Sequence, residues 1–233
     1  ANKLLVLIDG RTVYTPLFSG VYWDMQSVVP QDIDRVEVIS GPGATLWGAN
    51  AVNGVINIIT RKSSDTQGLV AEAGGGNLDS AAGLRYGGRV GQGATYRIYA
   101  RALNTQDTET RSGAGAHDHW SRLQGGFRFD WDRGDDSLTA AGDINRTAFD
   151  SVSAKVDGEN ISASWRRRLE GGSLEVRAFY DRALRTIPGS IGDETRTYDI
   201  EAQHSFSVNR NDVVWGAGYR VADGAFTNIA TVF

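Results

Sequence analysis

From residue 67 onward, the chain alternates apolar and polar side chains with a period of two. One such segment places Leu123, Phe127 and Phe129 on one face and Arg122 and Arg128 on the other. Alternation of this kind predicts β-strands with one apolar and one polar face. The pattern predicts nine strands, over residues 67–75, 79–91, 94–106, 119–132, 137–149, 159–169, 173–185, 194–208 and 212–224.

The polar faces of these strands carry many charges, among them Arg97, Arg101, Glu175 and Asp199. A dry core does not hold so many ions, because each unpaired buried ion costs several kcal/mol. We therefore expect the polar faces to line a wet or plugged lumen and the apolar faces to meet lipid. Most of the segments reach the roughly 9–11 residues of a membrane-spanning strand. The alternative is a soluble antiparallel sheet whose polar faces meet water.

The connections between the predicted strands alternate in length, except that the one near residues 76–78 is short. The short connections are 91–93, 133–136, 171–172 and 209–211, and the longer ones are 107–118, 150–158 and 186–193. Outer-membrane barrels sort their connections in this way, with short periplasmic turns and longer extracellular loops. Loop length therefore favours a barrel over a soluble sandwich.

The first 66 residues follow a different plan. An apolar run at 4–8 predicts a buried strand, and Asp9-Gly10 predicts a turn. The alternation at 35–39 predicts a strand with one buried face, which Gly41-Pro42-Gly43 ends, and the β-branched run at 55–60 predicts a returning strand. We expect residues 63–67 to form a polar linker. The predicted domains are 1–66 and 67–233.

Composition narrows the function classes. The net charge of −4 gives no field that would attract nucleic acid, and the absence of cysteine excludes disulfides and thiolate metal sites. The residues show no catalytic pattern and predict no cofactor and no signal peptide. His117-Asp118-His119 offers two imidazoles, but a polar loop is the favoured interpretation over a metal site.

Several motifs agree, in order, with one known family. They are Leu5-Val6-Leu7-Ile8-Asp9-Gly10, Val36-Glu37-Val38, Gly41-Pro42, Trp47-Gly48 and Gly54-Val55-Ile56-Asn57-Ile58-Ile59-Thr60. The first 66 residues thus resemble the C-terminal half of the plug domain of TonB-dependent outer-membrane receptors. Gly41, Pro42, Gly48, Gly54 and Asn57 are the plug-motif positions.

The resemblance implies a mainly β fold: the C-terminal part of an α+β plug domain, followed by an incomplete transmembrane β-barrel of about nine antiparallel strands. It implies uptake of a scarce nutrient, a ferric siderophore or a cobalamin-like chelate, across the bacterial outer membrane. Outer-membrane lipid and the TonB–ExbB–ExbD energy-coupling complex would be its partners. The signal peptide, the TonB box and the first plug strands are expected to lie outside this chain. Nine strands are not expected to close a pore.

The aromatic loop at 11–23 is the predicted ligand contact. Its residues are Tyr14, Phe18, Tyr22 and Trp23, with Arg11 as a possible anion partner, and Trp47 and Asn50 in the second plug loop are the next candidates. An equally weighted alternative is that these aromatic side chains pack under the loop.

Charged residues at Arg35 and Glu37 share one strand face. In the resembling family, such residues pair with the inner barrel wall and hold the plug. The alternative is a solvated strand face.

Two other function classes stay open at this point. One is a truncated or passive outer-membrane barrel receptor without energy coupling. The other is a soluble β-rich binding protein.

Overall fold

The computed structural model describes residues 4–18, 20–43, 47, 50–149, 154–187 and 191–228. These residues form two β-sheets, one of four strands and one of nine, joined by residues 61–67. The predicted mainly β fold is confirmed. Among the described residues, no helix combines the length and the apolar character needed to cross a bilayer.

The smaller sheet has the order β2-β1-β4-β3. Its strands are β1 (Leu4–Ile8), β2 (Arg11–Thr12), β3 (Ile33–Ser40) and β4 (Gly54–Thr60). Strands β1 and β4 run parallel, and β1 and β2 form a hairpin. Asp9 and Gly10 close that hairpin with φ of 48° and 82°, the positive values that a two-residue type I′ turn requires.

The core of this sheet is small and lies on both sides of β1. Leu5 packs with Ala51 and Val55 on one side, whereas Val6 and Ile8 pack with Val13 and neighbouring apolar residues on the other. A short strand that is buried on both faces reads as a continuous apolar run, which is why β1 was recognisable in the sequence.

The predicted buried face of β3 is wrong for the described residues. Val36 is 50% exposed and Val38 is 71% exposed. The reason is that, among the described residues, the apolar clusters of the small sheet gather around β1 and include no residue of β3. Alternation gave the strand correctly but did not show whether its apolar side chains are covered.

The nine predicted strands after residue 67 are confirmed as one continuous antiparallel meander, in which each strand pairs with its neighbours in sequence. They are β5 (Gly68–Gly75), β6 (Asp79–Val90), β7 (Ala94–Thr105), β8 (Trp120–Arg133), β9 (Asp136–Phe149), β10 (Lys155–Leu169), β11 (Gly172–Thr186), β12 (Ile191–Val208) and β13 (Asn211–Asn228). Strands β5 and β13 are the two edges, so the sheet is not closed.

Several strands extend further than predicted on the side of the longer connections. Strand β10 begins at Lys155 and β12 at Ile191, within segments that we predicted as loops. The backbone ladder continues there through polar residues, since Asp193 pairs with Arg185 and is only 5% exposed. The apolar alternation marks only part of each strand.

Burial in the nine-stranded sheet is inverted relative to a soluble protein. Gln124 is 4% exposed and Arg128 is 8% exposed, whereas Leu123, next to Gln124 and on the opposite face, is 63% exposed. The buried polar face covers the smaller sheet, and the apolar face points outward. An exposed apolar surface of this extent marks a membrane or a partner, which disfavours the soluble alternative.

The longest connection described, residues 106–119, is tied by its own hydrogen bonds. Asp118 accepts hydrogen bonds from the backbone N–H and the hydroxyl of Thr108, both at 2.7 Å, and Asp107 accepts one from the His119 N–H at 2.8 Å. The hydrogen bonds from Thr108 lower the pKa of Asp118. The carboxylates of Asp107 and Asp118 therefore stabilise the conformation of this loop.

Candidate ligand-binding site

A buried acid, Asp32, is one of the main attachments between the two sheets. It ends the short 3-10 turn Pro30–Asp32 and is 2% exposed. Its carboxylate pairs with Arg85 on β6 and lies 3.4 Å from Nε of Arg97 on β7. Arg97 also donates to the backbone oxygen of Arg61 at 2.6 Å. One acidic side chain thus pairs with two guanidinium groups of the wall, of which Arg97 is buried and Arg85 is partly exposed.

A second attachment lies at the level of the short turns. Arg128 on β8 binds Asp9 of the small sheet at 3.2 Å and Asp130 of its own strand at 2.9 Å. The N–H and the hydroxyl of Ser63 both donate to Asp130 at 2.7 Å. The predicted polar linker at residues 63–67 is thus held against the wall: it contains the 3-10 turn Ser63–Asp65, and Ser63 and Thr66 are buried.

Hydrogen bonds to backbone oxygens hold the segment that leads out of the aromatic loop. Asn145 on β9 donates to the Met25 oxygen at 2.8 Å and to the Ser27 hydroxyl at 2.6 Å. Tyr99 on β7 lies 3.1 Å from the Ser27 oxygen and 2.5 Å from Asp143. These contacts fix where the loop stands against the wall.

Arg11 does not lie at the apex of the aromatic loop. It is 5% exposed and forms an ion pair with Asp181 on β11. Because this contact neutralises its charge, Arg11 is a wall contact rather than the anion partner that we expected.

The aromatic residues of the loop divide between packing and exposure. The guanidinium of Arg185 lies 4.6 Å from the ring centre of Tyr22 and binds Asp24 at 2.5 Å. Phe18 meets the Tyr22 ring edge-on at a centre distance of 4.8 Å. Phe18 is 47% exposed and Trp23 is 54% exposed. Tyr22 thus packs against the wall, while two neighbouring rings remain open.

Burial raises the pKa of Tyr22, and the nearby Asp193 carboxylate raises it further. The phenol is therefore an uncharged hydroxyl in the neutral range, able to donate a hydrogen bond.

A cleft of about 180 Å³ lies between the aromatic loop and strands β11 to β13 of the nine-stranded sheet. Tyr14, Tyr22 and Asn50 line it from the small sheet's side, and Thr195 and Thr197 of β12 line it from the wall. It lies toward the ends of β11 and β12 that meet the longer connection. Three of the predicted ligand contacts are thereby brought to one cavity.

Trp47 is placed elsewhere. It packs against the core cluster of Leu5, Ala51 and Val55, and its N–H binds the Gly43 oxygen at 2.9 Å. It is not among the residues that line the cleft.

The plug-motif positions serve backbone geometry. Gly41 has a φ of +96°, and Gly54 has a φ of +151° with the Ile39 oxygen against the position of any Cβ. Pro42 lies between the glycines of that turn, and Asn57 donates to Glu37 at 3.0 Å. Gly48 lies outside the described residues.

Arg35 and Glu37 bind each other at 2.8 Å, and Arg35 also binds Asp34 at 2.7 Å. The hydrogen bond from Arg35 is the main cause that lowers the pKa of Glu37. Their contact with a barrel wall stays a prediction.

Sequence reasoning missed the acids that attach the small sheet to the described wall, namely Asp9, Asp24 and Asp32. Arginines at inward positions of the wall, such as Arg85 and Arg128, were the available signal, because buried guanidinium groups need acidic partners. The sequence alone did not show which acidic residues would pair with these arginines.

Comparison with known proteins agrees with this architecture. Residues 1–55 match the family described as the TonB-dependent receptor plug domain. The vitamin B12 transporter BtuB of Vibrio cholerae is 38% identical over 79 residues, which cover 34% of this chain and 13% of that protein. The ferric enterobactin receptor PirA of Pseudomonas aeruginosa is 27% identical over 124 residues, covering 47% and 17%.

The fold matches solved receptor structures over nearly its whole length. The siderophore receptor PirA from Pseudomonas aeruginosa superimposes with a TM-score of 0.68 at 18% identity, over 97% of this chain and 42% of that one. The chain therefore spans less than half the length of the proteins that it resembles. The plug-family match over residues 1–55, these partial relatives and the shared fold make the chain similar to TonB-dependent receptors of the bacterial outer membrane.

Proposed function

We propose that this chain is part of a receptor that takes up a scarce nutrient, a ferric siderophore or a cobalamin-like chelate. In this proposal residues 1–66 belong to the plug and residues 67–233 to the barrel. The transport step is driven by the TonB–ExbB–ExbD complex, which acts through a region outside this chain. Arg35 and Glu37 contact parts of the barrel wall other than the nine described strands.

The observation that carries the proposal is the cleft between the aromatic loop and the wall. It lies on the side of the longer connections, which face outward in outer-membrane barrels. Exposed Phe18 and Trp23 stand near it, and Tyr14, Tyr22 and Asn50 line it. Aromatic rings with a few polar groups suit an organic chelate.

Uptake of a radiolabelled chelate by the full-length receptor, in cells that lack other receptors, tests the proposal. Uptake is expected to require TonB. Tyr14→Ala and Asn50→Ala are each expected to raise the half-saturating concentration about tenfold, the equivalent of roughly 1.4 kcal/mol. Val52→Ala is the matched control, because Val52 is exposed close to Asn50 but does not line the cleft.

The outcomes separate the candidate functions. Uptake that continues unchanged without TonB supports a passive receptor. Failure of the full-length receptor to take up any corrinoid or ferric chelate contradicts both interpretations. Equal effects of all three substitutions would remove the cleft from the proposal.

A further inference from the structure

We infer that the cleft receives an uncharged edge of the ligand, rich in hydroxyl and amide groups, and disfavours polyanionic chelates. This inference rests on the proposed function, since it assigns a ligand class to the same cleft.

The lining supplies neutral groups that both donate and accept hydrogen bonds. Hydroxyl groups come from both sides of the cleft, since the plug loop contributes two threonines and two tyrosines and β12 contributes two threonines. Gln26 and Asn50 add carboxamides. The hydroxyl-bearing residues are Thr12, Tyr14, Thr15, Tyr22, Thr195 and Thr197. Such a surface matches ligand groups that also donate and accept.

Charge in the lining is balanced. Two charged residues line the cleft, Asp181 and Arg220. Asp181 pairs with buried Arg11, and Nε of Arg220 binds Asp199 at 2.7 Å. Among the described residues, the cleft therefore presents no charged group without an opposite charge beside it.

Arg185, which contacts the aromatic loop from the wall, is also committed. Arg185 binds Asp24 and stacks on Tyr22, and Asp193 stands close by. Two carboxyl groups, Asp24 and Asp193, thus stand beside this one guanidinium. A polyanion entering the cleft would lose hydration without gaining an uncommitted cation, which is unfavourable. Recognition of carboxylate or phosphate groups generally uses free guanidinium forks.

The size of the cleft indicates which part of the ligand enters it. A volume of about 180 Å³ is smaller than the roughly 300–1,000 Å³ of pockets that enclose whole small molecules. The cleft accordingly holds one edge of a larger chelate.

The test measures equilibrium binding to the purified full-length receptor in detergent by titration calorimetry. The three probes are cyanocobalamin, which is amide-rich and uncharged overall, an uncharged ferric trihydroxamate, and ferric enterobactin as a trianionic triscatecholate. At least one uncharged probe is expected to bind ten times or more tighter than the trianion.

Three variants then test whether the paired charges and the hydroxyl groups of the cleft cause this preference. Asp199→Asn frees the charge of Arg220 and is expected to tighten trianion binding about fivefold, with uncharged probes within about twofold. Arg220→Gln leaves Asp199 unpaired and should weaken trianion binding by a similar factor. Thr197→Val removes a lining hydroxyl and should weaken the uncharged probe about fivefold without changing the trianion.

Failure of the inference and failure of the proposed function give different results. Tighter binding of the trianion than of either uncharged probe, or no response of trianion affinity to Asp199→Asn and Arg220→Gln, overturns the inference and leaves the receptor function standing. No binding of any probe contradicts the proposed function itself.

Discussion

Substitution of Asp32 by Asn tests whether buried ion pairs hold the plug to the wall. The change keeps the volume of the side chain but removes its charge. Arg85 and Arg97 would then face each other without an anion, and their side chains are only 18% and 7% exposed. Loss of one member of a buried ion pair costs about 3–5 kcal/mol, because the remaining charge is left unpaired.

The structure places the expected cost at the lower end of that range. Arg97 keeps hydrogen bonds to the Arg61 oxygen at 2.6 Å and the Thr60 hydroxyl at 3.2 Å, and Arg85 is partly solvated. We therefore expect a loss of about 3 kcal/mol, which corresponds to a roughly hundredfold larger population of the detached segment.

Hydrogen exchange on the full-length receptor, in detergent and read by mass spectrometry, measures this population directly. The backbone N–H of Arg61 donates to the backbone oxygen of Asp32 at 2.8 Å, and this hydrogen bond breaks when the segment detaches. Peptides that contain residues 27–34 and 61 should therefore exchange about a hundredfold faster. The matched control is Asp34→Asn, which removes an acid only two residues away whose partner, Arg35, is exposed.

The control is expected to change exchange little, because exposed pairs are well solvated. Unchanged exchange in Asp32→Asn would refute the reasoning. Equal acceleration by both substitutions would also refute it, since the effect would then come from the turn and not from buried charge.

Three further predictions address the junction and the longest loop. Ser63→Ala removes the hydrogen bonds of the Ser63 hydroxyl to the buried Asp130 carboxylate and to the Thr95 hydroxyl but keeps the backbone N–H bond, and it should lower the unfolding free energy by about 1.5–3 kcal/mol, whereas exposed Ser64→Ala should not; equal denaturation midpoints would contradict this. A Cβ at Gly87 would collide with the backbone oxygen of Thr66, whereas one at Gly74 meets nothing within 4 Å, so only Gly87→Ala should cost about 1–3 kcal/mol in the same assay. The hydrogen bonds that lower the pKa of Asp118 stabilise the loop of residues 106–119 at pH values above 3.8, the ordinary pKa of this group, and the stability should be lost as the pH falls through the lowered pKa. Hydrogen-exchange protection of the loop that persists after Asp118 is fully protonated would contradict this prediction.

The sequence predicted the sheet because the signal is local. A period of two fixes which side chains share a face, and the charges on one face showed that this face could not be a dry core. Leu123 and Gln124, adjacent in sequence and opposite in burial, illustrate how much that reasoning determines. It did not determine where strands end, because polar residues continue the ladder beyond the apolar band.

The site was less predictable because its contacts join distant parts of the chain. Arg11 and Asp181 are 170 residues apart in the sequence. Alternation predicts which face of its strand each residue occupies, but it does not predict which positions along the two strands lie next to each other. Aromatic residues in glycine-rich loops also look alike in sequence. Trp47 packs in the core of the small sheet, whereas Trp23 is exposed, and only the fold separates them.

The nature of the plug–wall interface bears on the proposed transport. The small sheet has two modest apolar clusters of its own. Its contacts with the wall are ion pairs, hydrogen bonds and a small apolar cluster, in which Met25 packs against Val156 and Ala183. Polar groups that separate in a wet lumen exchange protein partners for water, so the net cost of parting a typical hydrogen bond is only about 0.5–1.5 kcal/mol. An apolar interface would instead expose surface at about 25 cal/mol per Å². The ion pairs and hydrogen bonds of this interface can therefore hold the plug at rest and still be replaced by water one by one, which is compatible with the proposed transport.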